Sequence, residues 1–291
     1  MDLSKNFLRA KRPCSDGFRW YLKHYQEGSD YQPLLDALVA DGRVEDACWV
    51  LSQFGHTDEV LTVDSLEAGA IVFAGTLEVR GNIETDTVLV AGRTIRAGGS
   101  IRAGTSLMAG EDVIAGGGIR CGDKLQAGGH VRAGWGVDVQ GILKCDGDMR
   151  VAWDLYCESE MAVQGSTTIG KDLVAKGSVR CGKGLRTGGA IKCLEDIGTG
   201  HGIDSAGTIF CHGHLEAQWG IRSGEFIIAN GSIRAGESLY AVEEIQAGIG
   251  YGIYAGTHVR VDTWEASAQV RARCKPERLM SGCWVEEFSP V

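Results

Sequence analysis

The side chains best suited to chemistry are Cys211, His212 and His214, which are clustered, and His201 a little earlier in the chain. Cysteine and histidine are zinc ligands, and a histidine held between stacked chain segments can act as general base in acyl transfer. The local pattern argues against both. Cys211 falls at an inward position of an alternating segment, and the chain bends directly after it, carrying His212 and His214 into a corner away from a shared tetrahedral site. His201, His212 and His214 could meet near one edge, but they read as surface histidines. The expectation is no catalytic residue, no metal and no cofactor.

Glycine runs such as Gly98-Gly99 and Gly116-Gly117-Gly118 have the composition of a phosphate loop. No Gly-x-x-x-x-Gly-Lys-Ser/Thr follows a strand and opens a helix, so they read as corner glycines. Arg96, Arg132, Arg150, Arg186 and Arg222 recur at multiples of eighteen and are expected to line one face. On a chain of net charge −9 that face reads as solvated, because nucleic-acid binding needs a basic footprint.

Residues 135 to 160 depart most from their surroundings. Trp135 and Trp153 are expected at corners one coil apart, stacked along one edge, with Tyr156 pointing outward beside them. Asp146, Asp148, Asp154, Glu158 and Glu160 crowd the same stretch against Lys144 and Arg150. Exposed aromatics ringed by acids would anchor and steer a basic protein partner, so Trp135, Trp153, Asp154, Tyr156, Glu158 and Glu160 are the candidate partner-binding residues. The bland alternative is an irregular coil whose aromatics cover a loop.

What must position these groups is a repeat. From Ile71 an aliphatic residue returns every six positions through Leu77, Ile83, Leu89 and Ile95 to Ile245, and of 30 such positions only Thr167 breaks the rule. Two residues after each comes mostly Ala, Cys, Ser or Thr, as at Ala103, Ala109, Ala115 and Cys121, so both point to one face of a strand. The next residue is often Gly, read as supplying corner freedom. A lone hexad cannot bury its face. Three hexads per coil, stacked, bury one continuous core and make a three-sided β-solenoid over about residues 65 to 260, with about ten coils and a length of about 50 Å. The hexads alone leave its handedness open. The usual enzymes on hexad solenoids, left-handed acyltransferases, place Gly directly after the aliphatic residue, which this repeat does not.

The totals agree. The chain has 43 glycines but only 4 prolines, which suits regular tight turns. Cys121, Cys145, Cys157, Cys181, Cys193 and Cys211 share the small inward position and are expected as reduced, buried thiols. No stretch approaches a membrane span, and no apolar signal run follows Met1-Asp2-Leu3-Ser4-Lys5, so a cytoplasmic location is expected.

Residues 15 to 56 carry helical spacing in three runs, with Asp30 and Asp41 as candidate caps of the second and third. After Ile245 the phase slips by two, resuming at Ile253 and Val259, and residues 262 to 291, with Trp264, Trp284 and Phe288, are expected to fold over the last coil. The expected organisation is a helical capping domain at 1–60, the solenoid at 61–261 and a capping tail at 262–291, both ends guarding open strand edges.

The Ile-x-Ala-Gly hexads resemble the bactofilin-like group of right-handed β-helices over roughly residues 65 to 260, a group that polymerises end to end. The added helices and aromatic tail argue against that assembly here. The runs Ser15–Leu22 and Asp41–Leu51 resemble a helical module at the front of immunity proteins paired with type VI secretion nuclease toxins. That resemblance implies an immunity protein without catalysis, monomeric outside its complex. It would bind a basic, cytoplasm-acting toxin, possibly a nuclease, and block its active site or substrate path, with no direct contact to nucleic acid or membrane. The alternatives are a bactofilin-like self-assembling scaffold and a hexapeptide-repeat acyltransferase.

Overall fold

A computed structural model describes residues 2–3, 5–25 and 28–286. Short strands separated by corners coil into three parallel sheets. Sheet 1 begins at Val60–Val63 and has 13 strands, sheet 2 begins at Leu66–Ala68 and has 11, and sheet 3 begins at Ile71–Phe73 and has 12. The chain visits them in that order on each coil up to Gln269–Arg271, after which the tail skips sheet 2. About 12 rungs at roughly 4.8 Å give a rod of about 58 Å, slightly longer than the hexad count implies.

Register explains the six-residue rule. Ile101 lies opposite Ile83 and Ile119, and Ala103 opposite Thr85 and Cys121, so inward rows stack like on like. Leu77, Leu89, Ile95, Leu107, Val113 and Leu125 have no solvent exposure. Thr167, the exception among the large inward residues, is also buried, and its hydroxyl lies 3.3 Å from Cys181 Sγ across the core.

The small inward row does more than fill space. Cys121, Cys145, Cys157, Cys193 and Cys211 each donate Sγ–H to a corner carbonyl, as Cys121 does to Thr105 O at 3.1 Å. Ser205 and Ser223 do the same to Gly189 O and Gly207 O. These carbonyls face the core where the chain turns, and a buried acceptor without a donor is costly. A small residue with a donor therefore suits the position.

Corner glycines have a different cause from the one read in the sequence. The glycines with positive φ are Gly28, Gly42, Gly55, Gly250, Gly256 and Gly282, all outside the regular corners. At Gly104 a Cβ would sit 1.8 Å from Asp86 O of the coil below. Close stacking of coils, not left-handed backbone, requires glycine there.

The N-terminal module has four helices, α1 (Lys5–Ala10), α2 (Ser15–His24), α3 (Tyr31–Ala40) and α4 (Val44–Phe54); α1 was not read from the sequence. Asp30 precedes α3 in extended backbone but makes no side-chain cap bond. Asp41 does not cap α4: it ends α3, Arg43 is the N-cap of α4, and the Asp41 carboxylate accepts the Trp20 indole N–H at 2.6 Å.

These helices cover one sheet edge. Leu34, Leu35, Leu38 and Val50 pack with Val72 and Val90, outward residues of sheet 3. Gln32 accepts the N–H of Ala74 at 2.8 Å and donates to Val72 O at 3.0 Å, satisfying the free edge of that sheet's first strand. Sheets 1 and 2 start differently. Val60 and Leu61 are 56% and 37% exposed, so the first rung of sheet 1 is an uncovered edge.

At the other end the tail extends the solenoid. Gln269–Arg271 pairs with Leu239–Ala241 in sheet 1, Cys283–Trp284 pairs with Gln269–Arg271, and Leu279–Ser281 pairs with Ile253–Tyr254 in sheet 3. Residues 262–286 thus cover the last coil by adding further strands onto it. Val259 is in no strand; Val270 takes the next inward place in sheet 1. Phe288 lies outside the described residues.

Candidate interaction surface

Strand alternation sends the middle residue of each three-residue hexad strand outward, and each corner presents its side chains at a fixed height on the rod. Corners are held by a side-chain ladder. The last corner residue accepts a backbone N–H from the coil above: Asp112 from His130, Asp148 from Ser166, Asp172 from Ala190 and Asp196 from His214. His130 and His214 accept through Nδ1 from Asp148 N–H and Ser232 N–H. Acids at corners thus have a structural task. The Ser166 N–H is the main reason the Asp148 carboxyl is held below its ordinary range.

The sequence-derived candidates spread over sheet 2 and both its corners. Trp135, Trp153 and Asp154 occupy the corner between sheets 1 and 2, Tyr156 stands outward in the strand Leu155–Cys157, and Glu158 and Glu160 occupy the corner between sheets 2 and 3. Trp135 is 69% and Trp153 53% exposed. They are one coil apart, as expected, but their rings do not stack; Lys171 Nζ lies 4.6 Å over the Trp153 ring instead.

The acids there are largely engaged. Glu158 accepts from Tyr156 OH and from Lys176 Nζ at 2.6 Å, and these bonds, that of Lys176 first, hold its carboxyl low. Glu160 pairs with Arg180 at 3.4 Å, and Asp154 Oδ1 accepts the Asp172 N–H at 3.1 Å. Trp135 and Tyr156 line a shallow depression of about 700 Å³ on the outer face of sheet 2, with the pairs Arg102–Glu84 and Arg120–Asp138 below.

The histidines do not converge. His201 stands at the corner between sheets 3 and 1, whereas His212 and His214 stand at the corner between sheets 2 and 3. His201 stacks on Trp219 at 4.1 Å between centroids with planes 7° apart, and His212 meets Phe210 edge to face. Cys211 points inward and donates to Glu195 O and His214 O. Among the described residues no group of three His, Cys, Asp or Glu is placed to hold a metal ion.

All five predicted arginines stand outward on sheet 1, joined by Arg271. Arg186 pairs with Asp204 at 3.1 Å; Arg96, Arg132, Arg150, Arg222 and Arg271 meet no carboxylate among the described residues. On an acidic chain, sheet 1 is therefore a basic face. Trp219, 51% exposed, was missed although the repeat marks it: it stands two residues before an inward aliphatic, as Trp135 and Trp153 do, and one coil above His201. Arg271 had no such signal, because the phase is lost after Ile245.

No described helix is long and apolar enough to cross a membrane. Residues 1–57 match the YdhT N-terminal domain. No curated protein and no solved structure matches the chain. The bactofilin-like resemblance extends to a β-helix repeat, and the matching front domain is not by that match an immunity module. Residues 59–209 match the Flagellar Assembly Protein A beta solenoid domain, and since this covers more than half of a chain coiled as a three-sheet solenoid, the chain belongs to that family.

Proposed function

We propose that this protein is a non-catalytic interaction scaffold: a rigid rod, with a helical module clamped to one sheet edge, that holds partner proteins on its outer faces. The observation that carries this is the set of Trp135, Trp153 and Trp219, large rings left exposed on corners that the coil ladder holds fixed. Tryptophan, tyrosine and arginine dominate binding hot spots, and a rigid surface loses little entropy on docking. The finer part of the proposal is that the Trp135–Trp153 corner takes a basic toxin and neutralises it. Asp154, in the same corner as Trp153, would steer such a partner electrostatically.

The test is co-purification of the full chain with the products of its neighbouring genes. The Trp135→Ala, Trp153→Ala double variant should lose a partner that the parent retains, with an unchanged melt. If the parent retains none of those products, the toxin reading fails; unchanged retention by the variant moves the interface elsewhere.

A second reading, end-to-end self-assembly, is favoured by the uncovered first rung of sheet 1. Under it, Leu61→Asp would abolish concentration-dependent association in sedimentation. A parent that sediments as a monomer at every concentration would exclude it.

A further inference from the structure

The outer face of sheet 1 holds a groove of about 950 Å³ near its C-terminal end, bounded by the His201–Trp219 corner and not lined by Trp135 or Trp153. On five successive rungs its floor reads Arg186, Asp204, Arg222, Tyr240 and Arg271. The stacked His201 and Trp219 form one wall. Arg222 lies 5.2 Å over the Tyr240 ring, and Arg271 donates to Gln269 at 2.7 Å. Three arginines thus face one lining carboxylate, Asp204, which holds Arg186.

We infer that this groove docks an extended acidic segment of a partner protein, whose carboxylates pair with Arg186, Arg222 and Arg271 while an apolar residue rests against Trp219. This rests on the scaffold reading and names a partner chemistry opposite to that expected for the Trp135–Trp153 corner. Charge complementarity decides the sign: among the described residues no carboxylate engages Arg222 or Arg271, Arg186 meets Asp204 through Nε alone, and the remaining guanidinium donors suit incoming carboxylates.

The pitch selects the conformation. Successive arginines are two rungs apart, about 9.6 Å at the usual strand spacing. A β-strand returns to one side about every 6.7 Å, which does not match. A polyproline II segment returns every three residues, about 9.3 Å, and such segments dock in aromatic-lined grooves. The segment therefore carries an acid at every third position and runs along the rod axis.

The experiment is fluorescence anisotropy of labelled peptides against the full-length protein. One peptide has Asp at every third position in a proline frame; a second has the same composition with its acids adjacent; a third replaces Asp with Lys. A single-stranded oligonucleotide of equal charge competes. The periodic acidic peptide should bind at least about tenfold tighter than the clustered one, and Arg222→Glu should weaken it by about thirtyfold or more. Binding of the Lys peptide should rise in that variant, which keeps the test valid if affinity falls through a general loss of charge. Arg96→Glu, outside the groove, should change little.

Equal binding of the two acidic peptides overturns the pitch argument. Stronger binding of the oligonucleotide, or no effect of Arg222→Glu, overturns the acidic-segment proposal. Failure here with retained partner capture through Trp135 and Trp153 would leave the scaffold reading standing.

Discussion

Gln32 holds Ala74: its Oε1 accepts the Ala74 N–H at 2.8 Å, just past the strand Ile71–Phe73, while its Nε2 donates to the Val72 carbonyl within that strand. One side chain of α3 replaces the strand that would otherwise pair there. Gln32→Ala leaves a donor and an acceptor unpaired in a part-buried seam, at a cost of about 1–3 kcal/mol. Urea unfolding followed by far-UV circular dichroism measures this. An unchanged midpoint would mean that apolar packing alone fastens the module.

The six solenoid cysteines should resist labelling in the native protein. All are buried, and burial pushes the Cys145 and Cys181 thiols up to about 11, leaving little reactive thiolate at neutral pH. Exposed Cys14 and Cys274 should react first. Mass spectrometry of partly labelled protein reads the order, and early modification of Cys145 or Cys181 would contradict the inward placement.

Acid should loosen the corner ladder at Asp148. Its folded carboxyl is held low, mainly by the Ser166 N–H, so its contribution is present above the unfolded value of about 3.9 and is lost as pH falls through the lower folded value. Asp148→Asn keeps an acceptor oxygen but removes the titration. Melting temperatures below about pH 4 should therefore fall less steeply for the variant than for the parent. Superimposable acid limbs would show that the charge at this corner is irrelevant.

Inserting one residue between Gly116 and Gly117 should turn the following strand over, sending Ile119 and Cys121 outward and Arg120 into the core. Burying an unpaired guanidinium would be severe enough to abolish cooperative unfolding. A variant that melts like the parent would refute the register.

The six-residue return of an aliphatic residue, with a small residue two places later, determined the strands, the inward rows, the buried thiols and the outward arginine row from sequence alone. A periodic pattern survives because each rung contacts only its neighbours, so local spacing becomes spatial stacking without long-range information. The same register located Trp135 and Trp153 at one corner and, applied to His201 and Trp219, marks that pair as well. Only the tertiary structure decided what depends on contacts distant in sequence: that Gln32 and α3 clamp the edge of sheet 3 and leave Leu61 uncovered, that the tail adds rungs, and that Arg271 joins the basic face. It also decided that Glu158 and Glu160 are spent on Lys176 and Arg180. Those partners stand one coil or more away on neighbouring rungs, and side-chain pairing between coils is chosen by geometry that a repeat of inward residues does not encode.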